Sequence, residues 1–422
     1  MRDKIRHIGQ WLSALLMVVL LVGCSKSSDS EGGEEPAKKP VLKVYVFAPA
    51  HPVVTRAADD VDASEAENKI HSLHVWVFEN HTREGDLHPE DDGKFVGHIV
   101  LNNVDLSEAG SEVSIDISDE FVARKPNVDV YVAANVTESN CGLKFDGNTD
   151  RATLEGASLK CTYDNTTVET DYFGVSSLVS SVPSDGLPMS GVLKNQTVYG
   201  ESPVFRVGDA ENGLANVKLV RAVSKVRFVF SKSSTNTDNL MVNSITLDGR
   251  DTEKNLYGLP NEEKLFLNGV YPNDLEEVNA SAGYYASTST LVSDINGNTI
   301  ATNNSPASYG YDGTMTAQEY ENLINKGITS TPSELTELGR FYFRESNKKV
   351  SGKINYSIGG TPKTATFATP ATLTDPTIYN GFTRNHTWIV YGYFVSSGNL
   401  LLNMVEIKDW INIETPDEVY NW

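Results

Sequence analysis

The chain has 422 residues, with 56 Asp and Glu against 35 Lys and Arg and a formal net charge of −21 at pH 7. Its length predicts roughly two domains. Its charge excludes nucleic acid as a partner, because nucleic-acid binders need a basic face to displace phosphate counterions.

Met1 to Ser25 (MRDKIRHIGQWLSALLMVVLLVGCS) starts basic, at Arg2, Lys4 and Arg6, and continues into an apolar run from Trp11 to Leu21. A charged opening, a short apolar stretch and a small residue at the cut site make residues 1–23 a secretory signal, not a membrane span. Leu21-Val22-Gly23-Cys24 resembles a bacterial lipobox, in which the Cys is acylated and becomes the mature first residue. Lipid on Cys24, palmitate included, anchors a precursor to a membrane surface without crossing it. No second apolar run in the sequence approaches the twenty residues a span needs. SKSSDSEGGEEPAKKP follows, with too little apolar surface to fold, and reads as a solvated tether.

VLKVYVF (Val41 to Phe47) alternates, with Leu42, Val44 and Val46 on one face and Val41, Lys43, Tyr45 and Phe47 on the other. Pro49 and Pro52 end it, since proline cannot donate to a ladder. HPVVTRAADD then sets Arg56 and Ala57 on a connector of the kind where nicking concentrates. Two readings stay open: Arg56 is a processing site and the strand is removable, or Arg56 is one more basic surface residue and the strand stays.

Beyond this link the chain reads as short strands between turn residues. HSLHVWVF places Leu73, Val75 and Val77 on one face and His74, Trp76 and Phe78 on the other. EVSIDI (Glu112 to Ile117) and NVDVYVAAN (Asn127 to Asn135) alternate likewise, as do KINYSI (Lys353 to Ile358) and HTWIVYGYFV (His386 to Val395). KLVRAVSKVRFVFS (Lys218 to Ser231) reads as one long strand with Val226, Phe228 and Phe230 on one side. Regular strands with turn signals between them predict β-sandwiches and an all-β fold. Two short helices are expected, at TAQEYENLINKG (Thr316 to Gly327) with a capping box, and at PSELTELG (Pro332 to Gly339) with Pro near its first turn. Asn296-Gly297 predicts a hairpin between LVSDI and NTIAT. A domain boundary is placed at Glu211-Asn212-Gly213, giving a tether and first strand over 24–56 and domains over 57–213 and 214–422.

The chemistry of catalysis is not visible. HExxH, GxSxG, P-loop and CxxC patterns are missing from the sequence, and the scattered Asp and Glu offer no defensible acid–base pair. His71 and His74, three apart on a strand, point to opposite faces. His81 and His88 flank an acidic loop (Glu84, Asp86, Glu90, Asp91, Asp92) that reads as solvated. No catalytic residue, metal or cofactor is therefore expected. Cys141 and Cys161 are the thiols left after Cys24. A bridge enclosing about 20 residues would contribute about 3 kcal/mol, and the sequence leaves open whether the two pair.

At the C-terminus, NLLLNMVEIKDWINIE (Asn399 to Glu414) carries alternating Leu400, Leu402 and Met404, then Val405 and Ile407. After the Lys408-Asp409 break come Trp410, Ile411 and Ile413. Such a segment suits either a terminal strand of its own sandwich or a strand donated to another molecule.

Three stretches together resemble the fimbrillin family, the type V pilins of Bacteroidia. One is the lipobox Cys24, tether, strand and Arg56-Ala57 before KIHSLHVWVF. The second is YVAANVT (Tyr131 to Thr137) and GLPMSG (Gly186 to Gly191) ahead of KLVRAVSKVRF. The third is RNHTWIVYGYFV leading to MVEIKDWINI. The resemblance implies two tandem transthyretin-like (Greek-key) β-sandwiches with few helices. It implies a precursor anchored in the outer membrane through Cys24, and a trypsin-like surface protease that cuts after Arg56. The first strand (Leu42, Val44, Val46) then leaves, and its place is filled by the C-terminal strands of a neighbour. Partners would be further copies of the chain and accessory subunits in an adhesive fimbrium. A tip or anchor subunit, or a surface glycan-binding lipoprotein, is the alternative.

Overall fold

The computed structural model describes residues 39–47, 65–83, 85–106, 110–142, 144–157, 159, 161–163, 168–171, 181–209, 213–247, 265–266, 289–296, 299–304, 333–344, 351–368, 384–385, 387–396 and 399–407. The chain divides into two units, Met1–Lys38 and Lys39–Trp422, and every described residue lies in the second. Cys24, Arg56, Ala57 and the helix expected over 316–327 lie outside the described residues.

The elements run β1 (Val41–Phe47), α1 (Glu65–Asn68), β2 (Ile70–Asn80), β3 (Phe95–Val104), β4 (Ser111–Asp116), α2 (Asp119–Arg124), β5 (Asn127–Ala134), α3 (Glu138–Cys141) and α4 (Arg151–Gly156). They continue with β6 (Cys161–Tyr163), β7 (Val168–Asp171), β8 (Met189–Gln196), β9 (Val198–Glu201), β10 (Val204–Asp209), β11 (Gly213–Leu214), β12 (Asn216–Lys218) and β13 (Val220–Arg221). The remainder is β14 (Val223–Lys232), β15 (Leu240–Leu247), β16 (Ser289–Asn296), β17 (Thr336–Arg344), β18 (Ser351–Ile358), β19 (Thr361–Ala368), β20 (Thr387–Phe394) and β21 (Leu400–Ile407).

These strands make an all-β fold of tandem sandwiches. One sheet has the order β11-β10-β1-β12, with β4 on the other side of β1 and β9 on β10; its companion is β13-β8-β5-β2-β3. The second pair is β17-β14-β20-β21 and β16-β15-β18-β19, with β6 and β7 as a separate ribbon. The alternation in β2 works as the sequence predicts, but both of its faces are buried. On the face of His74, Trp76 and Phe78, Phe145 meets Trp76 edge-on at 5.8 Å, and the indole Nε1 donates to Asp146 O at 2.9 Å. In the second core, Phe228 of β14 meets Phe341 of β17 at 6.0 Å and Phe367 of β19 at 5.6 Å, joining the two sheets.

Two expectations need correction. Lys218 to Ser231 is not one strand: β12 pairs with β1, β13 with β8, and β14 with β17 and β20. The chain changes sheet twice within a few residues, because Leu219 and Ala222 bury at the crossings. Strands of the first sandwich run to Arg221. The PSELTELG helix is instead a turn followed by β17, antiparallel to β14. Pairing there sends Phe341 and Leu338 into the second core, a gain that outweighs a local helix signal. The turn expected at Asn296-Gly297 lies partly outside the described residues; among the described ones β16 pairs with β15, Ile300 is buried, and Thr302 bridges to Lys232.

Helices α2, α3 and α4 were not anticipated, yet each has a side-chain cap. Ser118 Oγ accepts from Phe121 N, Thr137 and Asn140 cap each other's backbone, and Asp150 accepts from Thr153 N. Among the described residues no helix is long and apolar enough to cross a membrane.

Candidate functional site

The first strand occupies the middle of a sheet. β1 runs antiparallel to β4 over Val41–Val46, and parallel on its other side, to β10 over Val41–Lys43 and to β12 over Tyr45–Phe47. Both ends are tied as well: Val41 N donates to Pro203 O at 2.8 Å, Ile117 N to Pro40 O at 3.1 Å, and Leu219 N to Phe47 O at 3.2 Å. Its inner row, Leu42, Val44 and Val46, is 0% exposed, in one core with Val113, Ile115, Phe205, Val207 and Val217. Removing β1 would leave a groove with an apolar floor and unpaired backbone along both sides, which is a template for strand addition.

The outer row is half-buried and carries the charge. Glu112, directly opposite Tyr45, accepts from the Lys43 ammonium and from Tyr45 OH, the latter at 3.0 Å. Burial opposes ionisation of Glu112, but the bonds from Lys43 and Tyr45 outweigh it and hold its pKa below the ordinary carboxylate value. At the strand's end the Phe47 ring sits over Gly110, whose φ is +83°; a Cβ there would lie 2.6 Å from the ring. Only glycine fits that contact.

Two of the sequence patches meet at a single residue. Asn135, which ends YVAAN, is buried in the left-handed region at φ 58°. Its Oδ1 accepts from His71 N at 2.8 Å; its Nδ2 donates to Lys69 O at 2.8 Å and to Leu187 O at 3.0 Å. Gly186 of GLPMSG, at φ +83°, approaches so closely that a Cβ would lie 2.2 Å from Asn135 Nδ2. The pairing of YVAAN with GLPMSG thus has a steric and hydrogen-bonding cause.

The candidate donor segment begins in its own sandwich. β21 pairs antiparallel with β20 from Leu400 to Ile407 and lies at the end of its sheet. Leu400 is part of the second core and Leu402 packs against it. Met404, Val405 and Ile407 are described in backbone only, and Trp410, Ile411 and Ile413 lie outside the described residues. Cys141 is a buried free thiol whose pKa burial pushes up to about 12; the side chain of Cys161 is not among those described.

The acidic loop is knitted together by protein cations. His81 contacts Glu79 through Nε2 and Asp86 through Nδ1, both at 2.9 Å. Arg124 holds Glu79 at 2.6 Å and also Asp91, while Arg151 holds Asp92 and, at 3.2 Å, Asp129. His88, Glu90 and Asp91 bring potential ligand atoms within 4.8 Å of one another, but His88 and Glu90 are exposed and Asp91 already pairs with Arg124.

The fold and this site define a class: an all-β, two-sandwich protein whose first strand fills a two-sided slot. Residues 52–221 match the family model described as major fimbrial subunit protein (FimA), ending where the strands of the first sandwich end. Over that segment the chain is similar to the fimbrial subunit family that the model describes. Solved structures of similar extent include a proposed cell adhesion protein of Parabacteroides distasonis, at 13% identity and TM-score 0.45, covering 87% of this chain and 96% of the other. The tip fimbrial protein Mfa3 of Porphyromonas gingivalis shows 13% identity and TM-score 0.43, covering 88% and 99%. The fimbrial anchor protein Mfa2 of the same organism shows 10% identity and TM-score 0.31, covering 87% and 97%. No curated protein matches the chain.

Proposed function

We propose that the chain is a non-enzymatic structural subunit of an extracellular fimbrium that supports adhesion. In this reading it is exported as a lipoprotein through Cys24, cut after Arg56, and polymerised when β1 departs and another copy's C-terminal segment takes its slot. The observation that carries the reading is the placement of β1: central, bordered on both sides, with three apolar side chains fully buried, yet joined to the body only through residues 48–64. Those side chains contribute roughly 4–9 kcal/mol of gross burial, enough for a durable joint once ladder bonds of about 1 kcal/mol each are added.

On the donor side, Leu400 and Leu402 serve their own core. Met404, Val405 and Ile407 pair with β20 in the uncut chain, so in this reading they leave β20 and enter the neighbour's slot together with Trp410, Ile411 and Ile413. The acceptor partners are further copies of the chain and accessory subunits; the processing partner is a trypsin-like surface protease.

Arg56→Ala tests the licensing step. The variant is expected to yield a folded, lipidated monomer and no SDS-resistant ladder on surface fractions, where the parent chain gives one. Fibres of ordinary length from Arg56→Ala would remove proteolysis from the account.

A further inference from the structure

Helix α1 has four residues, too few to be stable alone, yet Glu67 within it is completely buried. Its carboxylate reaches into the second sandwich: Oε1 accepts from Tyr342 OH of β17 at 2.6 Å and lies 3.3 Å from Lys225 Nζ of β14. Arg340 Nη1 of β17 is 3.9 Å away. The helix backbone is held too. Arg221 of β13 donates Nε to Glu67 O at 3.2 Å and Nη2 to the Asn68 side chain, while its Nη1 donates to Asn385 Oδ1 at 3.0 Å. Asn385 N in turn donates to Val223 O at 2.7 Å, tying the start of β20 to the start of β14.

α1 is fastened to the first sandwich as well: Arg221 belongs to β13 of its five-stranded sheet, and Lys69, the residue after α1, accepts through its O from Asn135. Glu337 extends the cluster by accepting from Arg227 at 2.6 Å and Arg340 at 2.9 Å. Arg221 and Lys225 are the charged residues of the LVRAVSKV pattern, so that pattern supplies the grip on α1.

A buried ion pair gives little net stability, since desolvation offsets its attraction, but removing one partner strands the other in a dry site. An arrangement of this kind selects one geometry over others. We propose that α1, through Glu67, is a latch that makes the two sandwiches unfold as a single cooperative unit. Every latch contact lies downstream of Arg56, so cutting there would leave the latch on the retained body.

Calorimetry of the full, uncut chain tests this without reference to polymerisation, so failure of strand exchange leaves the readout unchanged. The parent chain is expected to unfold in one transition. Glu67→Gln is expected to split it into two, about 5 °C or more apart. Tyr342→Phe, which removes one hydroxyl and keeps the ring, is expected to split it less and decides the matter if Glu67→Gln fails to fold. Leu154→Ala, in the first core and away from the latch, is expected to lower the midpoint while keeping one transition. A single transition in both latch variants, or two transitions in the parent chain, would overturn the proposal.

Discussion

At the level of single residues, apolar strand positions were legible and buried polar ones were not. Leu42, Val44 and Val46 follow from strict alternation, and the structure buries all three. Asn135 and Glu67 gave no comparable signal, because a polar residue's burial depends on partners far along the chain: Leu187 for Asn135, Tyr342 for Glu67. His81 is a third case. The sequence reads it as part of a solvated loop, whereas its ring is buried between two carboxylates. Burial opposes its protonation, but the hydrogen bonds to Glu79 and Asp86 prevail and raise its pKa. A raised folded pKa stabilises fully below the unfolded value of about 6.5, and that contribution is lost as pH climbs through the folded value. Urea midpoints of the parent chain and His81→Gln should therefore differ most near about pH 5.5 and converge by about pH 9. A gap that stays constant over that range would contradict the imidazolium assignment.

Among elements, strand periodicity proved a sound guide, and the helix signal at PSELTELG a poor one. Residues 336–344 show why: TELGRFYFR carries helix-compatible residues, but β14 offers a full-length edge and the core a place for Phe341. Tertiary pairing decides such cases. Helices α2, α3 and α4 were hidden because each is two turns or less, with one cap and one or two buried side chains. The split of Lys218 to Ser231 was hidden for another reason, since a sheet change needs no break in hydrophobicity.

β1 is the element on which the proposed strand exchange turns, and its apolar row is testable by truncation. Leu42→Ala should cost the uncut chain about 2–4 kcal/mol in denaturant unfolding, the usual range for emptying a sealed pocket. After protease treatment and release of the strand, the Leu42→Ala and parent bodies should be indistinguishable. If the difference persisted in the released bodies, β1 would still be seated.

For the molecule as a whole, the sequence supplied the fold class and the order of patches, and the structure supplied the reason for that order. The patch after Arg56 enters β2, YVAAN and GLPMSG close over that entry, and LVRAVSKV carries the chain into the second sandwich while gripping α1. What the sequence could not give is the topology of β1, parallel on one side and antiparallel on the other, because register between distant strands is not written locally.

Amide hydrogen exchange along β4 and β10 in three states tests the replacement most directly: uncut precursor, cut monomer freed of residues 41–47, and assembled fibre. The account predicts protection in the precursor, fast exchange in the cut monomer and restored protection in the fibre. Fibres whose β4 amides exchange as fast as the cut monomer's, or whose subunits still carry residues 41–47, would contradict it.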